Sequence, residues 1–355
     1  MNKLEQARAQ IDDADRQLAV IFEKRMSAVR EVVSYKRENG LPIFDGARES
    51  AVVEKGVSRI NDEELKPYFA EFLRGTMRVS RDFQSRLIGD NVVAYQGVAG
   101  AFTHIALTRL FPNAEAKACA AWSDVFDAVE SGEAHFGVLP FENSYAGDVS
   151  DVLDLCFAHK DIFVSDIYDL PVVQNLLGVH GAQLSDIKKA VSHPQALAQS
   201  ANFLKKLGIE TQSYPNTAAA AKFVAQANDK SVAAIASAET AELYGLDVIA
   251  EGINEAKDNT TRFIVIGKKL PIDGERFSLL FTVKNVAGSL ARVIQIIGEM
   301  GCNMVSIKSR PMPHMTWEYY FYTELIGSSS DSEKLTAALE PVCTSVRTLG
   351  IYGKA

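Results

Sequence analysis

Residues 92–111 read VVAYQGVAGAFTHIALTRLF. The first five residues form an apolar run suited to a buried strand. Gly97-Val98-Ala99-Gly100 then makes a turn, and Phe102 onward has helical spacing. The two glycines let backbone N–H groups approach an anion at the helix N-terminus. The spacing is G-x-x-G, not the G-x-G-x-x-G of a dinucleotide fingerprint, which weighs against a nucleotide-dependent dehydrogenase.

The same strand–turn–helix grammar repeats downstream. In HFGVLPFENSYAG an apolar strand, Phe136–Phe141, runs into Glu142-Asn143-Ser144. Polar residues at the carboxyl end of an α/β strand are where such folds bind ligands. KAVSHPQALAQSANFLKKLG gives a strand ending at Ser192-His193, with Pro194 at the first helical position and a helix to Leu207. Ser192 reads equally as a helix cap. SVAAIASAETAELYGL is strand then helix, and TTRFIVIG is a last strand with a polar start, Thr260–Arg262. Adjacent Thr260 and Thr261 must point to opposite faces, and alternation alone does not say which faces a ligand. The order predicts two α/β lobes with a cleft between them, resembling a solute-binding protein.

Flanking segments have a different grammar. Heptad columns Leu4–Ile11–Leu18–Arg25–Val32 and Ala7–Ala14–Ile21–Ala28–Tyr35 predict one helix from about Asn2 to Glu38, ended by NGLP. A helix of that length exceeds ~50 Å, and a single layer of under ninety residues cannot cover it alone. A dimer of intertwined helices would. Arg25 interrupts an apolar column, where a charge is costly without a partner. Lys36 lies ~20° round the helix from Arg25, and Arg8 ~100° away. Asp45, Arg48 and Glu49 share one helix face, with Asp45 a candidate N-cap. A third helix, about Asp62–Ile88, carries Ser80 and Gln84 at i, i+4. Taken singly, these residues read as a solvated face. Together they suit a small dianion bearing a hydroxyl. After a polar linker at Gly267–Arg276, the rest reads βαββαβ, a ferredoxin-like order.

Length and composition frame this. The chain has 355 residues, enough for two or three domains, and a formal net charge of −8, which argues against a nucleic-acid footprint. There is no membrane span, and the N-terminus is polar from its start, so a cytoplasmic protein is expected. Cys119, Cys156, Cys302 and Cys343 are widely separated, which points away from a disulfide framework or metal site.

Three resemblances carry the sequence further. Arg8, Arg25, Lys36, Asp45, Arg48, Glu49, Ser80 and Gln84 resemble, in type and spacing, the active-site set of the all-helical chorismate mutases. The resemblance implies an intertwined homodimer in which Arg8 reaches the partner's site. Arg8, Arg25 and Arg48 would hold carboxylates, Lys36 and Gln84 would address the ether oxygen, and Glu49 the ring hydroxyl. GVLPFENSYAG, VSHPQALAQ and NTTRF resemble the prephenate dehydratases. This implies Thr261 as the catalytic hydroxyl and Arg262 as a carboxylate binder. Thr103, Glu142, Asn143, Ser144, Ser192, His193, Gln195 and Phe263 would complete the substrate site. Ala101 departs from the family's usual hydroxyl, whereas Thr103 keeps one. The last segment resembles the ACT domains attached to these dehydratases. Gly288-Ser289-Leu290 and Lys308-Ser309-Arg310-Pro311 stand at the two motifs that bind phenylalanine, with Lys308 replacing an acidic residue.

The expected fold is therefore multidomain: an all-α intertwined mutase domain (1–89), a two-lobed periplasmic-binding-protein-like α/β dehydratase domain (92–268) and an α+β ferredoxin-like ACT domain (277–355). The resemblance implies conversion of chorismate to prephenate and on to phenylpyruvate, with no cofactor or metal. The effector would be L-phenylalanine, the assembly at least a dimer, with no nucleic-acid or membrane partner. Rival readings are a non-catalytic aromatic-ligand sensor and a mutase fused to a prephenate dehydrogenase. Retention of Thr261, Arg262 and Glu49 counts against the first, the missing fingerprint against the second.

Overall fold

The computed structural model describes residues 2–38, 46–88, 92–312 and 315–353. Asp45 lies outside them. The chain divides into two compact units, Met1–Asn91 and Val92–Ala355.

The first unit is helical: α1 (Lys3–Glu38), α2 (Gly46–Val57) and α3 (Lys66–Ile88), the last preceded by a 3₁₀ turn at Glu63–Leu65. Asp62 caps that turn by accepting from the Glu64 N–H at 3.0 Å. Val33 and Met77 are buried, but Leu4, Ile11, Leu18, Ile21, Val32 and Tyr35 of α1 are exposed, as are Tyr68, Phe72 and Val79. The two heptad columns are thus largely uncovered within this unit.

The second unit begins with β1 (Val92–Gln96), α4 (Phe102–Leu110), β2 (Glu115–Cys119), α5 (Trp122–Ser131), β3 (Phe136–Asn143), β4 (Gly147–Asp148), α6 (Ser150–Ala158) and β5 (Phe163–Pro171). The chain then crosses to a second lobe: β6 (Asn175–Gly178), β7 (Lys189–Ser192), α7 (Pro194–Gln199), α8 (Ala201–Leu207), β8 (Glu210–Ser213), α9 (Thr217–Ala227), β9 (Val232–Ala236), α10 (Ala238–Tyr244) and β10 (Asp247–Ala250). It returns as β11 (Thr260–Gly267). The helix expected from Pro194 to Leu207 is interrupted at Ser200, whose backbone is not helical. The closing module is β12 (Arg276–Thr282), α11 (Ser289–Glu299), β13 (Asn303–Pro311), β14 (Tyr319–Ile326), α12 (Ser329–Leu339) and β15 (Ser345–Tyr352).

Two sheets result among the described residues. The second lobe has the order β10-β6-β9-β7-β8, while the first lobe and the closing module share one sheet, β13-β14-β12-β15-β5-β11-β3-β1-β2, with β4 paired to β3. The join is narrow, with Gly350 opposite Val164 in parallel. A Cβ on Gly350 would stand 2.5 Å from the Val164 carbonyl oxygen, so only glycine permits this approach. One core cluster crosses the join, with Phe141, Val164 and Ile167 packed in it alongside Leu280, Tyr320, Tyr322, Leu349 and Tyr352. The closing module is therefore packed onto the strands that carry the first lobe's polar ends.

Candidate active sites

A cleft of about 400 Å³ lies between the two lobes of the second unit. It is lined at the helix starts by Ala101, Phe102 and Thr103 of α4, Trp122 of α5, His193, Gln195 and Ala196 of α7, and Asn216 and Thr217 of α9. The N-caps of α4 and α5 are Ala101 and Ala121, which offer no side-chain acceptor. At α4 the first N–H groups and the positive end of the helix dipole are thus available to an anion, whereas at α5 the Asp124 carboxylate already accepts from the Ala121 N–H at 2.9 Å. No Lys, Arg, Asp or Glu is among the lining residues, and His193 is the ionisable one. An anion in this cleft would be met by backbone N–H groups, neutral side chains and His193.

The cleft wall is built on β3 and β11, where Thr261 pairs in register with Asn143. Asn143 Nδ2 donates one hydrogen to Asn259 Oδ1 at 2.8 Å and shares the other between Thr261 Oγ1 at 3.0 Å and the Thr260 carbonyl at 3.2 Å. Its own Oδ1 accepts from the Tyr145 and Ala146 N–H groups at 3.1 and 2.9 Å, which fixes the amide's orientation. Because Thr261 Oγ1 accepts from Asn143, its own proton is left to donate into the cleft. Thr260 turns the other way and donates to the Asp258 carbonyl at 3.2 Å. Three buried polar atoms of lining residues have no protein partner: Trp122 Nε1, Gln174 Oε1 and Asn259 Nδ2. Buried polar groups are costly unless paired, so these atoms suit a polar ligand.

Of the residues expected at this site, Thr103, Asn143, His193, Gln195 and Thr261 line the cleft, and five do not. Arg262 follows Thr261 on the strand and so faces away. Its guanidinium bonds Asp169 at 2.9 and 3.1 Å and approaches Glu324 of β14 at 3.5 Å. The Asp169 hydrogen bond comes first in raising its pKa against burial, with Asp169, Glu324 and Glu142 adding charge attraction. Glu142 flanks Asn143 and likewise turns away, meeting Lys308 Nζ at 3.1 Å. Ser192 is fully buried and donates to the Ile235 carbonyl at 2.6 Å, so it is neither cap nor cleft residue. The cap is His193, whose Nδ1 accepts from the Gln195 N–H at 3.3 Å. Phe263 is in the first lobe's core beside Val93 and Tyr95. Ser144 braces β11 by accepting from the Thr260 N–H at 3.0 Å. Sequence reasoning missed Gln96, Trp122, Gln174, Gln199, Asn216 and Asn259. Gln199 and Asn259 stand at the ends of the VSHPQALAQ and NTTRF motifs, and Asn216 had a local signal as an N-cap after Pro215 opening an alanine-rich helix.

In the first unit, Arg25 Nη1 donates to Ser80 Oγ, and Ser80 and Gln84 are buried. Burial pulls the Arg25 pKa down, and the Glu49 carboxylate opposes that. Gln84 Oε1 is buried and finds no partner among the described residues. The structure thus gathers Arg25, Glu49, Ser80 and Gln84. Arg48 is exposed on α2, Lys36 is half-buried on α1, and Arg8 is exposed on α1, roughly four to five turns before Arg25.

In the closing module Gly288 caps α11 in the left-handed region (φ 87°), with Ser289 and Leu290 in its first turn. On β13, Lys308 and Arg310 alternate with the exposed Ser309 and Pro311. Lys308 also bonds Asp148 of β4 and stands 5.0 Å over the Phe141 ring. Arg310 clasps Asp154 of α6, which Tyr320 also reaches. Both cations, expected at the effector site, are engaged by the first lobe.

Comparison with known proteins agrees with this layout. Family profiles match for prephenate dehydratase over residues 93–271, chorismate mutase type II over 7–85 and the ACT domain over 277–340. The bifunctional chorismate mutase/prephenate dehydratase of Aquifex aeolicus is 30% identical, covering 100% of this chain and 99% of its own. The arogenate dehydratase/prephenate dehydratase 2 of Arabidopsis thaliana is 34% identical, over 73% of this chain and 72% of its own. Among solved structures, the prephenate dehydratase of Arthrobacter aurescens in complex with L-Phe superposes with a TM-score of 0.68 at 26% identity, covering 74% of this chain and 90% of that one.

Proposed function

The chain belongs to the bifunctional chorismate mutase/prephenate dehydratase family, and we propose from that premise which of its residues serve each reaction. It rearranges chorismate to prephenate and converts prephenate to phenylpyruvate in phenylalanine biosynthesis.

The first reaction is pericyclic and needs no nucleophile or proton transfer. The enzyme must hold an extended dicarboxylate in a compact chair and stabilise charge growing on the ether oxygen. In our reading Arg8, Arg25 and Arg48 take carboxylates, Lys36 and Gln84 the ether oxygen, and Glu49 the ring hydroxyl, with Asp45 and Ser80 in support. The Arg25–Ser80 bond and the nearby Glu49 charge support this. The uncovered apolar columns of α1 support a dimer, with Arg8 serving the partner's site.

The second reaction expels carbon dioxide and the ring hydroxyl as the ring becomes aromatic. A threonine is a poor acid, but a hydroxyl held by Asn143 Nδ2 and aimed into a cleft can donate a hydrogen bond to the departing oxygen. The single observation carrying this assignment is the Asn143–Thr261 bond at 3.0 Å. The substrate carboxylates would lie at the starts of α4 and α9, with Thr103, His193, Gln195, Gln174 and Asn259 completing the site. Supplied prephenate should give phenylpyruvate, and Asn143→Ala should depress that rate by ~10-fold or more. Retention of the full rate would overturn the assignment.

The ACT module supports control by L-phenylalanine, as does the likeness to a dehydratase solved with L-Phe. The exposed Gly288, the half-buried Ser289 and Leu290 beside it, and the exposed Ser309 and Pro311 are the contacts this reading offers it. No described helix is long and apolar enough to cross a membrane.

A further inference from the structure

The two lobes of the dehydratase unit touch each other at one edge of the cleft. Thr240 of α10, in the second lobe, donates Oγ1–H to the carbonyl of Gly100 at 2.7 Å. Tyr244, one turn later on the same helix face, donates its phenol to the carbonyl of Ala99 at 2.8 Å. Glu239 of α10 pairs with Arg109 of α4. Thr240 is fully buried, and its N–H is held at 3.2 Å by Ser237, the N-cap of α10. Both interlobe acceptors are backbone carbonyls of the turn from Gly97 to Gly100.

That turn cannot tolerate a side chain at its end. Gly100 has φ +86°, and a Cβ there would meet Leu243, Thr240 and Tyr244 atoms at 3.1, 3.3 and 3.4 Å. The turn delivers the chain to the uncapped start of α4, where Ala101, Phe102 and Thr103 line the cleft. The second lobe therefore sets where the first lobe's helix N-terminus points.

We propose that Thr240 and Tyr244 are positioning residues for prephenate dehydration: they latch the second lobe onto the Gly97–Gly100 turn and aim the α4 N-terminus at a substrate carboxylate. The inference rests on the cleft being the prephenate site. Donors lie on one lobe and acceptors on the other, and both bonds are formed in this structure, so they hold the turn and the start of α4 in place before substrate arrives. Their worth is realised in binding the substrate, and their loss should raise KM more than it lowers kcat.

Thr240→Val and Tyr244→Phe should each raise KM for prephenate about 3- to 10-fold, and the double variant by more than ~10-fold, with kcat within about 2-fold of the parent. Thr240→Ser keeps the donor and should restore KM. Hydrogen exchange at the Gly97, Gly100 and Ala101 amides, measured without substrate, should quicken at least ~5-fold in the double variant. These amides are bonded to the Cys119 carbonyl, His104 Nδ1 and the Val98 carbonyl. Unchanged exchange refutes the latch whether or not prephenate is turned over. A KM within ~2-fold of the parent, or no rescue by serine, refutes its role in binding. Faster exchange in a chain that fails to dehydrate prephenate supports the latch as an interlobe device and refutes the cleft's assignment.

Discussion

Replacing Thr261 by valine removes one hydroxyl and keeps the side-chain shape. The structural cost is small because Asn143 Nδ2 keeps Asn259 Oδ1 at 2.8 Å and the Thr260 carbonyl at 3.2 Å. Less than ~1 kcal/mol of stability should be lost. The catalytic cost is larger. A preorganised donor to an oxygen gaining charge is worth ~10²–10³ in kcat, or about 2.7–4 kcal/mol. Thr261→Val should therefore lower kcat for phenylpyruvate formation from supplied prephenate by ~100-fold or more. Thr260→Val, whose hydroxyl only bonds the Asp258 carbonyl at 3.2 Å, should cost at most ~3-fold. The mutase rate in each preparation serves as a control on the amount of chain, and a thermal melt checks that the fold survives. Equal losses at the two positions, or a Thr261→Val rate within ~5-fold of the parent, would refute the reasoning.

Arg25→Ala should reduce the mutase rate by ~100-fold or more while dehydration of supplied prephenate is unchanged; a parallel fall of both in a folded chain would contradict two separate sites. Arogenate carries an ammonium where prephenate has a keto group, and helix N-termini disfavour a cation, so its kcat/KM should be ~10-fold or more below that of prephenate. Lys308→Glu would set a third carboxylate beside Glu142 and Asp148, and urea denaturation should show a loss of about 2 kcal/mol; an unmoved midpoint would count against the contact. Burial tends to raise the Asp154 pKa, but the Arg310 and Tyr320 hydrogen bonds and the Arg310 charge overcome it, leaving it below the usual carboxylate range. Its stabilisation is present above the unfolded value near ~4 and is lost as pH falls through the folded one. Asp154→Asn should flatten that acid-side decline in the urea midpoint, and an identical slope would argue against it.

Much of this architecture could be read in the residues, because long apolar periodicities and strand–turn–helix repeats are local signals. The strand over Thr260–Gly267, the α1 span and the βαββαβ order all depend on such patterns. The site was harder, and the reason is strand pleat. The alternation that separates Thr260 from Thr261 also sends Arg262 away from the cleft, and it sets Glu142 opposite to Asn143. Sequence motifs join neighbours in the chain, so NTTRF and FENS mix cleft residues with residues that brace the sheet or meet the ACT module. Ser192 and Phe263 belong to the same class, buried supports inside a motif. Gln174 escaped notice because it sits on the crossover segment between lobes, where only the three-dimensional return of the chain brings it to the cleft, and Asn259, though it opens NTTRF, was passed over for the hydroxyls and the arginine that follow it. Lys308 read as a charge reversal at an effector site, and its partners, Glu142 and Asp148, are more than a hundred residues away.

The most direct test of the whole account is to incubate the purified chain with chorismate alone, without nucleotide or added metal, and follow chorismate, prephenate and phenylpyruvate together. The account predicts that chorismate is consumed and phenylpyruvate is formed, with prephenate as the intermediate. Prephenate that accumulates without phenylpyruvate would contradict the dehydratase assignment, and chorismate left unconsumed would contradict the mutase.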